Sequence, residues 1–161
     1  MKRLQFLSLV AFILFSANTI LQSASPILSK ILPRGGQRGS TVEMVFTGQR
    51  LQDIHQVLFY SSGFQVEKIE GDEKNNKRAT ATVKITPECV LGEHHLRLVT
   101  SSGLSTLHTF WVGPFPSVQE IEPNSEFSKP QAIPINHTIE GRVDNEDVDF
   151  YAVEGKKGQR L

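Results

Sequence analysis

Between Pro26 and Gly113 apolar and polar residues alternate in short runs. In TVEMVF (41–46), Val42, Met44 and Phe46 fall on one side of an extended chain, and Thr41 and Glu43 fall on the other. QVLFY (56–60), ATATVKI (79–85), HLRLV (95–99) and TLHTFWV (106–112) follow the same period of two. That period predicts half-buried strands. The runs are separated by RGGQRGS (34–40), SSG (61–63), GDEKNNK (71–77) and SSG (101–103). Glycine supplies positive φ in such turns, and Asn or Asp hydrogen-bonds its own backbone. No stretch carries a helical period. The prediction is an all-β chain whose first unit, 26–113, is a small antiparallel sandwich.

GPFPSVQEIEPN then breaks the pattern. Pro114 and Pro116 stiffen a connector, placed at 114–119, because proline cannot pair within a central strand. A second unit, 120–161, contains HTIEGRV (137–143), the acidic turn DNEDVD (144–149) and FYAVE (150–154). A hairpin of two such strands seldom folds alone, so this unit reads as cut off.

The first 24 residues stand outside both units. Lys2 and Arg3 precede an apolar run from Leu4 to Ala17, and small residues follow at Ser23, Ala24 and Ser25. This is the layout of a secretory signal peptide, with cleavage placed after Ala24. The protein is therefore expected to be secreted, periplasmic or at the cell surface. No second apolar segment of spanning length follows, so no membrane span is expected after cleavage. Export gives meaning to the single cysteine, Cys89: it can form no intramolecular disulfide, and core burial or metal must hold the mature chain together. With 17 Lys and Arg against 17 Asp and Glu, the net charge is zero. Nothing in that balance draws the chain to nucleic acid or to an anionic membrane.

The carboxylates are unevenly spread. In VQEIEPNSE, Glu120, Glu122 and Asn124 alternate and so project to one side of an extended segment. The later turn offers Asp144, Asp147 and Asp149, with Asn145 and Glu146 between them. Bringing the two segments together would set carboxylate against carboxylate unless a cation neutralised them. Calcium, which takes six to eight oxygen ligands, suits such a donor set. The plainer alternative is a solvated turn in which Asn124 and Asp144 form Asx-turns.

Two family resemblances bear on these units. The opening PILSKILPRGGQRGSTVEMVFTGQRL, then QVLFY, VKITPE, GEHHLRLVTSSGLST and the closing FWVG resemble the IPT/TIG type of immunoglobulin-like domain. E-x-E-P-N, a strand ending in G-x-V, and D-x-x-D-x-D-F-Y resemble the bacterial pre-peptidase C-terminal domain, a β-sandwich found beside secreted proteases and in collagenases. The second resemblance implies that 120–161 is an incomplete, jelly-roll-like second sandwich, with calcium ligands at Glu120, Glu122, Asn124, Asp144 and Asp147. It places Asp149 as a strand cap. Ser125 stands where calcium-binding members often carry Asp. The order of the two units resembles exported multidomain proteins of planctomycete-type bacteria.

Other candidates carry less. His94 and His95 are adjacent and face opposite sides of a strand, so they cannot chelate one ion together. Cys89 reads as a small buried residue and RGGQRGS as a strand-entry turn. Asn136-His137-Thr138 fits a glycosylation sequon that has no bearing in a bacterial setting. Phe110, Trp111 and Phe115 cluster near the connector, with Trp111 on the face opposite Phe110 and Val112. No catalytic signature is present. The expectation is a non-catalytic binding, adhesion or spacer module, with an extracellular protein or polysaccharide as partner. The competing expectation is the N-terminal part of a secreted hydrolase whose catalytic domain lies elsewhere.

Overall fold

The computed structural model describes residues 24–142 and 148–159, and its strands follow the alternation read above. The first unit contains β1 (Ile27–Leu32), β2 (Gly35–Gln37), β3 (Thr41–Gln49), β4 (Ile54–Phe59) and β5 (Phe64–Gly71). It continues with β6 (Arg78–Ile85), β7 (Gly92–Thr100), β8 (Gly103–Leu104) and β9 (His108–Gly113). One sheet runs β1-β3-β6-β5 and is wholly antiparallel. The other runs β2-β9-β7-β4, with β8 folded back on β7. Its pairs are antiparallel except β2 with β9. The opening segment changes sheet at Pro33, which has no N–H to give to a ladder.

Both sheets turn their apolar positions inward. Met44 and Phe46 of β3, Ala79, Ala81, Val83 and Ile85 of β6, Leu96 and Leu98 of β7, and Phe110 and Val112 of β9 form one buried cluster. Phe64 of β5 meets Phe110 of β9 edge to face, with centroids 6.2 Å apart, and ties the layers together. Removing the ring of the fully buried Phe46 would cost about 3–5 kcal/mol, on the scale of a small domain's whole stability of about 5–15 kcal/mol. Gly63, at φ +101°, shows why a turn here needs glycine: a Cβ would lie 2.7 Å from the Cys89 sulfur.

The second unit is built differently from the expected hairpin. Its strands are β10 (Ser117–Gln119), β11 (Gln131–Ile133), β12 (Thr138–Glu140) and β13 (Tyr151–Val153). β12 lies parallel to β10, and β13 lies parallel to β11. Among the described residues β12 and β13 form no ladder with each other. Ser117–Gln119, within the segment read as connector, thus belong to a strand. Two three-residue ladders are marginal by themselves, so side chains must hold them. Gln131 does so: its Nε2 donates to Gln119 O (2.9 Å) and its Oε1 accepts from Ile121 N (2.8 Å). Glu140 anchors this unit to the first sandwich, accepting from the backbone N–H of Arg34 through Oε1 and from Gln119 Nε2 (2.9 Å) through Oε2.

Among the described residues there is no helix long and apolar enough to cross a membrane. Most of the signal segment (1–23) lies outside the described residues, as do Asp144 and Asp147.

Candidate metal centre

Glu120 directly follows β10 and extends its ladder, donating its N–H to Glu140 O at 3.1 Å. The chain bends at Glu122, passes a cis Glu122–Pro123 bond and reaches Asn124, only 1% exposed. Three hydrogen bonds fix this residue. Its N–H donates to Glu122 Oε2 (3.0 Å), its Nδ2 to Glu120 Oε1 (3.2 Å), and its carbonyl accepts from Phe150 N (3.0 Å). Glu120, Glu122 and Asn124 thus lie together, as grouped from the sequence, though on a bent rather than an extended segment.

The fourth participant is Asp149. One carboxylate oxygen from each of Glu120, Glu122 and Asp149 lies within 4.8 Å of the other two. Oxygens that share an ion at roughly 2.3–2.6 Å stand no farther apart than about twice that distance, so the spacing fits a common calcium-type ion. Asp149 was expected to cap its strand. In the structure it lies with the two glutamates, because the segment preceding β13 carries it back alongside Asn124. The period of two that links Asp147, Asp149 and Tyr151 was the available signal.

Donors around Glu120 prepare it as an anion. Tyr151 Oη donates to its Oε1, Arg142 N donates to its Oε2 at 2.6 Å, and Asn124 adds the bond above. The Tyr151 hydrogen bond first, then the Arg142 N–H, hold the Glu120 carboxyl below its usual range. The reciprocal effect on Tyr151, with burial adding to it, pushes the phenol up to about 12. Gly141 makes room for this arrangement: a Cβ there would stand 2.7 Å from Glu120 Oε2. Neither Tyr151 nor Gly141 was singled out from the sequence.

Asn124 adds a second, separate feature to the cluster. Its Oδ1 is buried and has no hydrogen-bond partner among the described residues. An amide oxygen stranded in that way costs about 1–3 kcal/mol. With Nδ2 bonded to Glu120, that oxygen is a neutral donor carried by the same side chain that touches the cluster. The donor set is then all oxygen and rich in carboxylate, the chemistry of calcium rather than of zinc or copper.

The remaining candidates stay apart from this cluster. His94 is buried and His95 exposed, on opposite faces as alternation requires. His94 Nδ1 pairs with Ser61 Oγ (2.6 Å) and Nε2 with Val90 O (2.7 Å), tying two loops to β7. Cys89 is 1% exposed, and burial pushes its thiol up in pKa.

No protein-family model matches the sequence, and no curated protein does. Solved structures do show likeness. The Lin-41 filamin domain aligns over 56% of this chain and 99% of its own, at 13% identity and a TM-score of 0.38. The Bacteroides ovatus protein SGBP-B of a mixed-linkage glucan utilization locus, solved with a mixed-linkage heptasaccharide, aligns over 68% of this chain at 13% identity and a TM-score of 0.42. Only 26% of that protein is covered. The twitchin kinase region of C. elegans aligns over 55% of this chain and 15% of its own, at 11% identity and a TM-score of 0.29. The all-β architecture stands on the chain's own sheets.

Proposed function

We propose that this chain is an exported, non-catalytic binding or spacer module whose second β unit is locked by a calcium-type ion. Glu120, Glu122, Asp149 and Asn124 hold the ion, and Asp144 and Asp147 of the intervening turn contribute further oxygens. The first unit is of IPT/TIG type, and the second is of pre-peptidase C-terminal type. The observation that carries this reading is the convergence of three carboxylates on a buried asparagine whose Oδ1 lacks a partner.

The ion's role is mechanical. It joins the start of the second unit (Glu120 to Asn124) to the segment entering β13. Through Glu120 N and Glu140 O it stiffens the β10–β12 ladder, and Glu140 passes that order to Arg34 of the first sandwich. Isothermal titration of the exported chain with calcium checks the proposal. One ion per chain is expected, with a dissociation constant on the order of 10⁻⁴–10⁻³ M as in extracellular modules. Asp149→Ala should abolish the binding. No calcium heat in the parent protein, or undiminished heat in the variant, would refute it.

A further inference from the structure

We propose that the outer face of the second sheet around Trp111 is a binding site for a neutral oligosaccharide chain. The inference specifies the ligand of the non-catalytic binding module described above and is independent of the cation.

Trp111 is the chain's single tryptophan and is 57% exposed. It points outward because Phe110 and Val112 take the inward positions of β9. Its neighbour across the sheet on one side is Gly35 of β2, and on the other Glu93 of β7. Gly35 cannot be replaced by a larger residue, since a Cβ would lie 2.6 Å from Trp111 O. The close approach of β2 to β9 thus leaves one flank of the indole without a covering side chain.

Two depressions border Trp111. One, of about 360 Å³, is bounded by Lys30, Arg34, Glu93 and His108. The other, of about 150 Å³, lies over Gly35 and Gly36 and is bounded by Phe115, Ile139 and Glu140. Trp111 and Arg34 border both. An exposed aromatic residue shared by two depressions suits a ligand that runs from one into the other, which means a chain of units rather than one compact molecule.

The chemistry of the walls selects among such chains. The C–H face of a pyranose carries partial positive charge and stacks on the negative face of an indole. Its hydroxyls both donate and accept, and Arg34, Glu93, His108 and Glu140 offer both functions beside the ring. Glu140 is already fixed by the Arg34 N–H and by Gln119, so little ordering cost remains at that wall. Lys30 and Arg34 balance Glu93 and Glu140, so the face attracts neither a polyanion nor a polycation. A protein partner would need an apolar core within about 800 Å² of surface on each side. Here the apolar elements are Trp111, Phe115 and the half-buried Ile139, with Arg34, Glu93 and Glu140 standing among them.

Affinity electrophoresis of the exported chain, in gels containing soluble mixed-linkage β-glucan, xylan or galactomannan, tests the site. At least one neutral polysaccharide should retard the protein. Trp111→Ala should weaken retardation at least about tenfold, the ~1.4 kcal/mol appropriate to one lost aromatic stack. Trp111→Phe should recover part of it. Because Trp111 is the single tryptophan, its emission, excited selectively at the red edge of the absorption band, should also shift to the blue with the corresponding oligosaccharide. Equal thermal unfolding of parent and Trp111→Ala would show that folding is not the cause. Retardation by none of the three polysaccharides, or retardation unchanged in Trp111→Ala, overturns the inference. So does dimerisation that Trp111→Ala abolishes, which would assign the face to a second copy of the chain. These failures leave the calcium response intact, whereas shortening of the polysaccharide would refute the non-catalytic reading instead.

Discussion

Glu122→Gln separates a metal ligand from a merely acidic turn, because the two roles predict opposite signs. Glu122 is exposed and accepts a hydrogen bond from Asn124 N, which a glutamine oxygen can also accept. Without a cation its charge is therefore a liability beside Glu120 and Asp149, and the variant should unfold at the parent's temperature or slightly above it. With calcium the order reverses. A ligand with a dissociation constant of about 0.3 mM, present at about 10 mM, stabilises the folded state by about 2 kcal/mol. Replacing one charged ligand by a neutral amide and weakening the site about tenfold reduces that to about 0.9 kcal/mol. At roughly 4 °C per kcal/mol, the parent's melting temperature should rise by about 8 °C and the variant's by about 4 °C or less. Differential scanning calorimetry in chelator, in calcium and in magnesium measures both signs. Equal calcium shifts in the two proteins, or a variant markedly less stable in chelator, would refute the reasoning.

Three further outcomes are expected. Gly141→Ala places a methyl group where the Glu120 carboxylate now lies, so calorimetry should show most of the calcium shift lost with little change in chelator. In a Tyr60→Phe background Tyr151 is the sole tyrosine, and its phenolate absorbance should develop near pH 12 instead of the ordinary 10.0; Glu120→Gln should move it back. A phenol whose folded pKa is raised contributes stability that is complete below pH 10 and is lost as pH rises toward 12, whereas the lowered Glu120 contributes stability that is lost as pH falls below its ordinary 4.5. Cys89 is buried with a raised pKa, so a thiol reagent at neutral pH should modify it only after denaturation, and modification of the native protein at the rate of the unfolded one would contradict its placement.

The first sandwich was legible because its central strands obey one rule. β3, β6, β7 and β9 bury every second residue, and a period of two can be read from the chain without knowing the partner strand. β5 escaped notice for a local reason. Its register against β6 shifts between Val66 and Lys68, so its partly buried Val66 and Ile69 stand three residues apart and the alternation breaks. The second unit failed for a non-local reason. β12 looks like the partner of the next strand, but its ladder is formed with β10, about twenty residues earlier, and three-residue strands leave no pattern to reveal it.

The candidate site divides in the same way. Glu120, Glu122 and Asn124 lie two residues apart on one short segment and could be grouped by that spacing alone, although the segment bends at Glu122. Asp149 and Tyr151 join them from the far side of the acidic turn, and only the parallel pairing of β13 with β11 brings them there. Gly141 matters through the space it leaves, which has no signature in the sequence until Glu120 is placed beside it.

Terbium, which takes calcium's oxygen ligands, gives the most direct test of an ion held between Glu120, Glu122 and Asp149. Tyr151 donates to Glu120 and is therefore close enough to sensitise a terbium ion bound there. Excitation of the tyrosine should yield terbium emission that calcium displaces, that Tyr151→Phe largely removes and that Asp149→Ala abolishes. Emission that survives both substitutions, or none at all in the parent protein, would contradict the account.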